Sequence, residues 1–405
     1  MIADRINRLT ESKTMKIAGK ALAMKARGED IIDFSVGEPD FPTPERIKQA
    51  AKKAIDNNFT CYTVNMGMIE LRQAVSEKLK RDNNLDYSVK EIIISNGAKQ
   101  ALFNIVFAVV NPGDEVLIPA PFYVSYPEMV KLADGTPVII NTREENNFKL
   151  TADDLKRAVT PKTKALILCN PSNPTGLVYT GEELKALADV IENEDIFVIV
   201  DEIYEKLVYD NIKFVSFASI SEKIKAKTAI INGVSKAYAM TGWRIGYAAA
   251  PEAVIRAAST IQSHNTSGAS SVSQMASLEA ISGIQDEVRI MVMEFERRRD
   301  YIIGALNEIP SLNCTKSQGA FYAFVNVASY FGVEYNGRKI ENSCDFADFI
   351  IEVAKVAIVP GEGFGSDEHI RISYSTSMEN IVEGLRRIND ALRETTQFLT
   401  KKHFL

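Results

Sequence analysis

The sequence predicts an α/β fold, a large domain with a mainly parallel sheet sandwiched by helices, accompanied by a smaller α+β domain. Three observations predict it. Between about residue 90 and residue 250, short and nearly continuous apolar runs alternate with helix-period segments, as expected of strands buried on both faces. From about Gln285 the pattern changes to a long charged helix followed by short strand-like runs. The chain of 405 residues, 46% apolar and 25% charged, is long enough for about two or three domains of ordinary globular composition. We therefore place an N-terminal segment at 1–41 with the small domain, a large domain at 42–284 and a small C-terminal domain at 285–405.

In chain order, Gly37-Glu38-Pro39-Asp40-Phe41-Pro42-Thr43-Pro44 cannot be a regular helix, because its prolines remove donors and restrict their neighbours. It reads as an irregular connection into the large domain. Strands are predicted at Glu91 to Ser95, Glu115 to Pro119, Lys164 to Cys169, Phe197 to Val200, Thr228 to Asn232 and Ile245 to Ala249. Between them, Ala98 to Val110 reads as a helix stopped by Asn111-Pro112-Gly113, and Glu182 to Glu192 repeats Leu184, Leu187, Ala188 and Ile191 at helical spacing. The charged helix is Glu287 to Glu308, with Glu294, Glu296 and Arg297-Arg298-Arg299. Strand-like runs follow at Ala320 to Val327, Val356 to Val359 and Ile370 to Ser373, before a closing helix at Met378 to Arg393.

The composition points to small-molecule chemistry. A net charge of −6, from 53 acidic and 47 basic residues, comes with no Lys/Arg block of the kind that binds nucleic acid. The longest apolar stretch, Ala101 to Val110, is about half of what a bilayer span needs. The first residues carry Asp4, Arg5, Arg8 and Glu11 without an apolar signal core, so a cytoplasmic location is the expectation. The cysteines Cys61, Cys169, Cys314 and Cys344 are widely spaced and read as reduced, mostly buried thiols; with His264, His369 and His403 they form no metal motif.

Ligands of open parallel sheets sit beyond the carboxyl ends of the strands, so the polar residue ending each apolar run deserves inspection. Lys236 follows Ser235 after the run ending at Val234, and Arg244 stands eight residues on. A lysine amine forms Schiff bases with carbonyls, and pyridoxal phosphate carries both an aldehyde and a phosphate that a cation could hold. The run Phe197 to Val200 ends in Asp201, followed by Glu202-Ile203-Tyr204. A carboxylate there could keep a pyridine nitrogen protonated, or it could simply cap a helix. Asn173, in Asn170-Pro171-Ser172-Asn173-Pro174-Thr175-Gly176, could donate to a ring oxygen, or the loop could be only a rigid connection. Asn96-Gly97-Ala98-Lys99-Gln100 opens a helix whose free N–H groups could bind phosphate.

Taken together the motifs resemble a known family along nearly the whole chain. They are Val36-Gly37-Glu38-Pro39-Asp40-Phe41, Gly97-Ala98-Lys99-Gln100-Ala101-Leu102-Phe103, Val124-Ser125-Tyr126-Pro127, Asn173-Pro174-Thr175-Gly176, Asp201-Glu202-Ile203-Tyr204, Ser235-Lys236, Thr241 to Tyr247 and Gly319-Ala320-Phe321-Tyr322. In order and spacing the chain resembles a class I/II aminotransferase of pyridoxal-phosphate fold type I, in the bacterial and archaeal aspartate aminotransferase branch. The resemblance implies that Lys236 binds the cofactor aldehyde and moves the substrate proton, and that Asp201 meets the pyridine nitrogen. It implies that Tyr204 and Asn173 bond the ring oxygen, and that Gly97, Ala98, Lys99, Ser235 and Arg244 hold the phosphate. Tyr123 falls where this branch often stacks a tryptophan on the ring, and Ala98 replaces a common glycine.

The resemblance also implies substrate contacts. Arg371, in His369-Ile370-Arg371-Ile372-Ser373-Tyr374, matches the arginine that grips the α-carboxylate, with Gly37, Tyr123 and Asn173 beside it. Lys99, Ser12 and Thr14 match residues that help to bind a distal carboxylate, and Tyr62 matches a tyrosine reaching the phosphate of a neighbouring subunit, hence a homodimer. The leading expectation is ping-pong transamination of L-aspartate with 2-oxoglutarate through the pyridoxamine form. Aromatic amino acids, alanine or prephenate as substrates, or a carbon–sulfur β-lyase, are the alternatives. A pyridoxal-phosphate-binding regulator fused to a DNA-binding domain is disfavoured because the chain has no room for that domain. A nicotinamide dehydrogenase is disfavoured because no strand leads into G-x-G-x-x-G.

Overall fold

The computed structural model describes residues 2–10, 13–335 and 337–402. A short first strand, β1 (Ile32–Asp33), precedes a seven-stranded sheet made of β2 (Ile92–Ser95), β3 (Glu115–Ala120), β4 (Thr136–Asn141), β5 (Thr163–Cys169), β6 (Phe197–Asp201), β7 (Thr228–Gly233) and β8 (Gly246–Ala249). Its order is β2-β8-β7-β6-β5-β3-β4, with β4, β3, β5, β6 and β7 parallel and β8 antiparallel to both of its neighbours.

The apolar runs are continuous because alternate residues serve two cores. Ile92, Ile94, Leu166, Leu168, Val198, Val200 and Ile230 enter one cluster, while Ile93, Ala165, Ile167, Ile199, Ala229 and Ile231 enter another on the opposite face. The helix Ala98–Val109 packs into the second of these. The six expected strands are present to within a residue or two at their ends; β4 was not foreseen. It lies at the sheet edge, its run Val138-Ile139-Ile140 is only partly buried, and Pro137 at its start argues against a strand in the sequence.

Further strands are β9 (Asn313–Cys314), β10 (Tyr322–Asn326), β11 (Glu334–Tyr335), β12 (Arg338–Lys339), β13 (Val356–Ala357), β14 (Val359–Pro360) and β15 (His369–Ser373). The order β14-β15-β10-β9 forms an antiparallel four-stranded sheet. The stretch read as one strand, Val356 to Val359, is two: β13 pairs in parallel with β1, and β14 turns to join β15. Ile17, Ala21, Met24 and Phe34 pack in the same core as this small sheet, together with residues of the helices Asp286–Glu308, Ser343–Val353 and Met378–Lys402.

The arginine run on Asp286–Glu308 is not a solvated face throughout. Arg298 and Arg299 are buried. Arg298 donates to Asp40 at 2.7 Å and Glu294 at 2.8 Å, and Arg299 donates to Asp210 at 2.7 and 2.9 Å and to the Ser317 carbonyl at 2.9 Å. Pairing is what allows the charges inside. The cysteines also differ from expectation: Cys314 is buried, Cys61 is exposed, and Cys169 and Cys344 are intermediate. Among the described residues, no helix is long and apolar enough to cross a membrane.

Candidate active site

The carboxyl ends of β2, β5, β6 and β7 converge on one cavity of about 510 Å³, closed on its other side by Gly37, Tyr322 and Arg371. At the β2 end the chain turns through Gly97, whose φ of 88° suits glycine, into the helix Ala98–Val109. No side chain caps that helix. Its first N–H groups have no partner within the helix, and the helix dipole adds positive potential there. A Cβ on Gly97 would collide with the Arg244 guanidinium, and one on Gly246 would collide with the Ala98 backbone nitrogen. The two glycines thus let the helix start, β8 and Arg244 come together. Arg244 is fixed by bonds to the carbonyls of Thr241 at 2.8 Å and Asn96 at 3.4 Å. Lys99 is exposed, its amine 5.5 Å from the Tyr123 ring centre.

Asp201 ends β6 and is buried. No helix follows, so it caps none; its oxygens accept from Tyr126 Oη at 2.9 Å and the Ile203 N–H at 3.3 Å. Burial pushes its carboxyl up to about 6, against the pull of the Tyr126 bond and of Lys236. Lys236 sits beyond β7 with its side chain partly open to the cavity, and its Nζ donates to the Gly37 carbonyl at 2.6 Å. Withdrawal from bulk water, helped by the positive Arg371, brings its amine down to about 8.

Across the cavity, the Tyr204 and Tyr322 hydroxyls share a hydrogen bond of 2.8 Å. Arg371, buried on β15, donates to Asn173 Oδ1 at 3.1 Å and the Ser35 carbonyl at 2.9 Å, while its Nε has no partner. Because Asn173 spends its oxygen on Arg371, its amide hydrogens remain to donate. The Arg371 guanidinium lies 4.4 Å from the Tyr322 ring centre.

Gly37, Ala98, Lys99, Tyr123, Asn173, Asp201, Tyr204, Ser235, Lys236, Arg244 and Arg371 all line this cavity, and Gly97 stands just behind the lining as the N-cap of the helix that begins at Ala98. Tyr62 is elsewhere, 98% exposed. Ser12 lies outside the described residues, and Thr14 belongs to the helix Lys13–Ala26. Sequence reasoning gave no role to Tyr126, Tyr322, Ser35, Glu38 or Thr241. Glu38 accepts from Thr241 Oγ1 at 2.6 Å, tying the N-terminal connection to the Arg244 turn. Tyr126 and Tyr322 were inside motifs already noticed, and only their partners were invisible.

The residues fit pyridoxal phosphate. An uncapped helix start with Arg244 beside it suits a phosphate, a buried acid suits a ring nitrogen, and an amine of lowered basicity suits an aldehyde. Comparisons point the same way. The family model described as aminotransferase class I and II matches residues 29–388. The chain is 47% identical over 393 residues to a probable aspartate/prephenate aminotransferase of Rickettsia felis, covering 96% of each. It is 46% identical to an aspartate aminotransferase of Geobacillus stearothermophilus, covering 96% of this chain and 98% of that one. The solved aspartate aminotransferase from Rhizobium meliloti superposes with a TM-score of 0.93 at 43% identity, covering 96% of this chain and 98% of that one.

Proposed function

The chain belongs to the class I and II aminotransferases, enzymes that use pyridoxal phosphate, and we propose that it transfers the amino group of L-aspartate to 2-oxoglutarate, giving oxaloacetate and L-glutamate. The observation that carries this reading is the pairing, in one cavity, of a lysine amine with a buried arginine whose Nε is unpartnered, and of Lys99 as a second cation. Two separated cations match a substrate with two carboxylates. The relatives named for aspartate support the same choice.

When bound, the cofactor supplies an aldehyde for the amino nitrogen and a protonated ring that accepts the electron pair left at Cα. The chain's residues do the rest. Arg371 grips the α-carboxylate through a planar, charge-assisted pair of donors, which fixes Cα. Lys236, once released from the cofactor, would take the Cα proton as general base and deliver it as general acid to the cofactor carbon that had carried the aldehyde, which leaves the nitrogen on the cofactor; an amine near 8 suits both tasks. Asp201, held by Tyr126, keeps the ring nitrogen charged. Tyr204 and Asn173 donate to the ring oxygen, Tyr123 covers the ring, and the phosphate is held by the backbone of Gly97, Ala98 and Lys99 at the helix start together with Ser235 and Arg244. Lys99 reaches the distal carboxylate, and Ser12 and Thr14 assist it.

The protein works as a homodimer in which Tyr62 reaches the partner's phosphate. Its 98% exposure, beside exposed Ile55, Phe59, Val64 and Ile69, supports that assignment. The large domain, 42–284, carries the cofactor, and the small domain, 285–405 with 1–41, carries the carboxylate grip. Cofactor-saturated protein assayed with aspartate and 2-oxoglutarate should yield oxaloacetate and glutamate, faster than with alanine, phenylalanine or prephenate in the panel. Absence of aspartate turnover, or pyruvate and ammonia release from cystathionine without an acceptor, would overturn the reading.

A further inference from the structure

We propose that Tyr322 is a positioning residue that couples the grip of Arg371 on a substrate carboxylate to the hydroxyl of Tyr204 at the cofactor's ring oxygen. The proposal rests on the aminotransferase reading above. Its basis is that one side chain touches both groups. On β10, Phe324 is paired directly with Arg371 of β15 and Tyr322 with Ser373, so Tyr322 is a diagonal neighbour of Arg371 on one sheet face. The Tyr322 ring lies 4.4 Å from the Arg371 guanidinium, and its hydroxyl lies 2.8 Å from that of Tyr204. The same hydroxyl stands where a Cβ on Gly37 would come within 2.9 Å of it. It therefore also bears on the segment whose carbonyls hold Lys236 and Arg371.

A phenol has one proton to give. Tyr204 can donate to the cofactor oxygen only when Tyr322 donates to Tyr204, and hydrogen bonds in such a chain strengthen one another. A cation over the Tyr322 ring favours that direction, because it stabilises the negative charge that builds on the phenol oxygen and ring as the O–H donates. Burial raises both phenols above their ordinary range, so they act as neutral donors, while Arg371 pulls Tyr322 back down. The titratable and charged groups facing the pair are Arg371, Lys236, Cys169 and Tyr123, with Glu38, Asp201 and Arg244 facing Lys236. A carboxylate on Arg371 offsets its charge, weakens the Tyr322 donor and so relaxes Tyr204. Only hydrogen bonds reorient; no covalent bond changes.

The test uses the holoenzyme and follows its visible absorption with pH, maleate serving as the dicarboxylate probe. Tyr322→Phe keeps the ring and loses the hydroxyl. Tyr204 then donates more weakly, the ring oxygen keeps more negative charge, and the proton on the Lys236 nitrogen is held more tightly. The midpoint should rise by about half a pH unit, with kcat for aspartate down about threefold to tenfold and KM within about threefold. Tyr204→Phe should raise the midpoint further, and Tyr204→Phe/Tyr322→Phe no further than Tyr204→Phe. Tyr322→Leu, which removes the ring, should raise the Kd of maleate and KM of aspartate about tenfold. A Tyr322→Phe midpoint equal to wild type, or additive shifts in the double variant, would overturn the coupling. Wild-type protein that binds cofactor but does not turn over aspartate would instead sink the substrate reading, and the absorption titration would still judge the hydroxyl pair.

Discussion

Lys236 is one of 47 basic residues, and what sets it apart is surroundings that charge cannot easily occupy. Desolvation disfavours the ammonium form, so the neutral, nucleophilic amine predominates above about pH 8, where an ordinary lysine would still be charged. The rate at which cofactor-free protein captures pyridoxal phosphate should therefore climb with pH to a midpoint near 8 and then level off. A midpoint near 10.5, measured by stopped-flow absorption, would contradict it. Lys236→Ala should still bind the cofactor, through the phosphate and ring contacts, with turnover reduced by several orders of magnitude. Lys99 belongs to specificity. Lys99→Ala should raise KM for aspartate about tenfold or more, while KM for alanine or phenylalanine moves little; equal effects on all three would remove Lys99 from the distal carboxylate.

At the scale of elements, the site depends on a helix start pressed against a strand. β8 runs between β2 and β7, and Gly246 sits opposite both Ser95 and Gly233. A methyl group there has nowhere to go but into the Ala98 backbone nitrogen, at the turn proposed to hold the phosphate. Gly246→Ala should cost ~1–3 kcal/mol in unfolding free energy and weaken cofactor binding together, as measured by denaturant titration and equilibrium binding. Thr180→Ala is the control. It removes the capping box of the helix Gly181–Ile191, which should cost about 1 kcal/mol without changing cofactor affinity. Loss of affinity in Thr180→Ala alone would show that the site senses stability in general.

At the scale of the molecule, the two sheets meet across the cavity and are also joined outside it. Glu144, beyond β4, accepts from Asn313 at 3.0 Å and Asn326 at 3.1 Å on the small sheet and lies 3.4 Å from His369. A sedimentation measurement should give about twice the 44.9 kDa chain mass, and Tyr62→Phe should raise the cofactor Kd several-fold in that dimer; a monomer with full cofactor affinity would refute the shared site.

The sequence by itself determined the strands and the residues at their ends. Apolar runs that are buried on both faces, and polar residues that stop them, are local properties, so β2, β5, β6 and β7 could be read directly, as could Asp201, Asn173 and Lys236. The edge strand β4 escaped because Pro137 breaks into its short run Val138-Ile139-Ile140, and the burial of Arg298 and Arg299 was not legible because Asp40 and Asp210, which draw them inside, are distant in the chain. Tertiary structure alone decided that Tyr126 would meet Asp201, that Tyr322 would join Tyr204 to Arg371, and that the Gly37 carbonyl would hold Lys236. Those contacts join residues 75, 118 and 199 positions apart. No local pattern encodes them, because the sheet and its crossovers must form before their partners are within hydrogen-bonding reach.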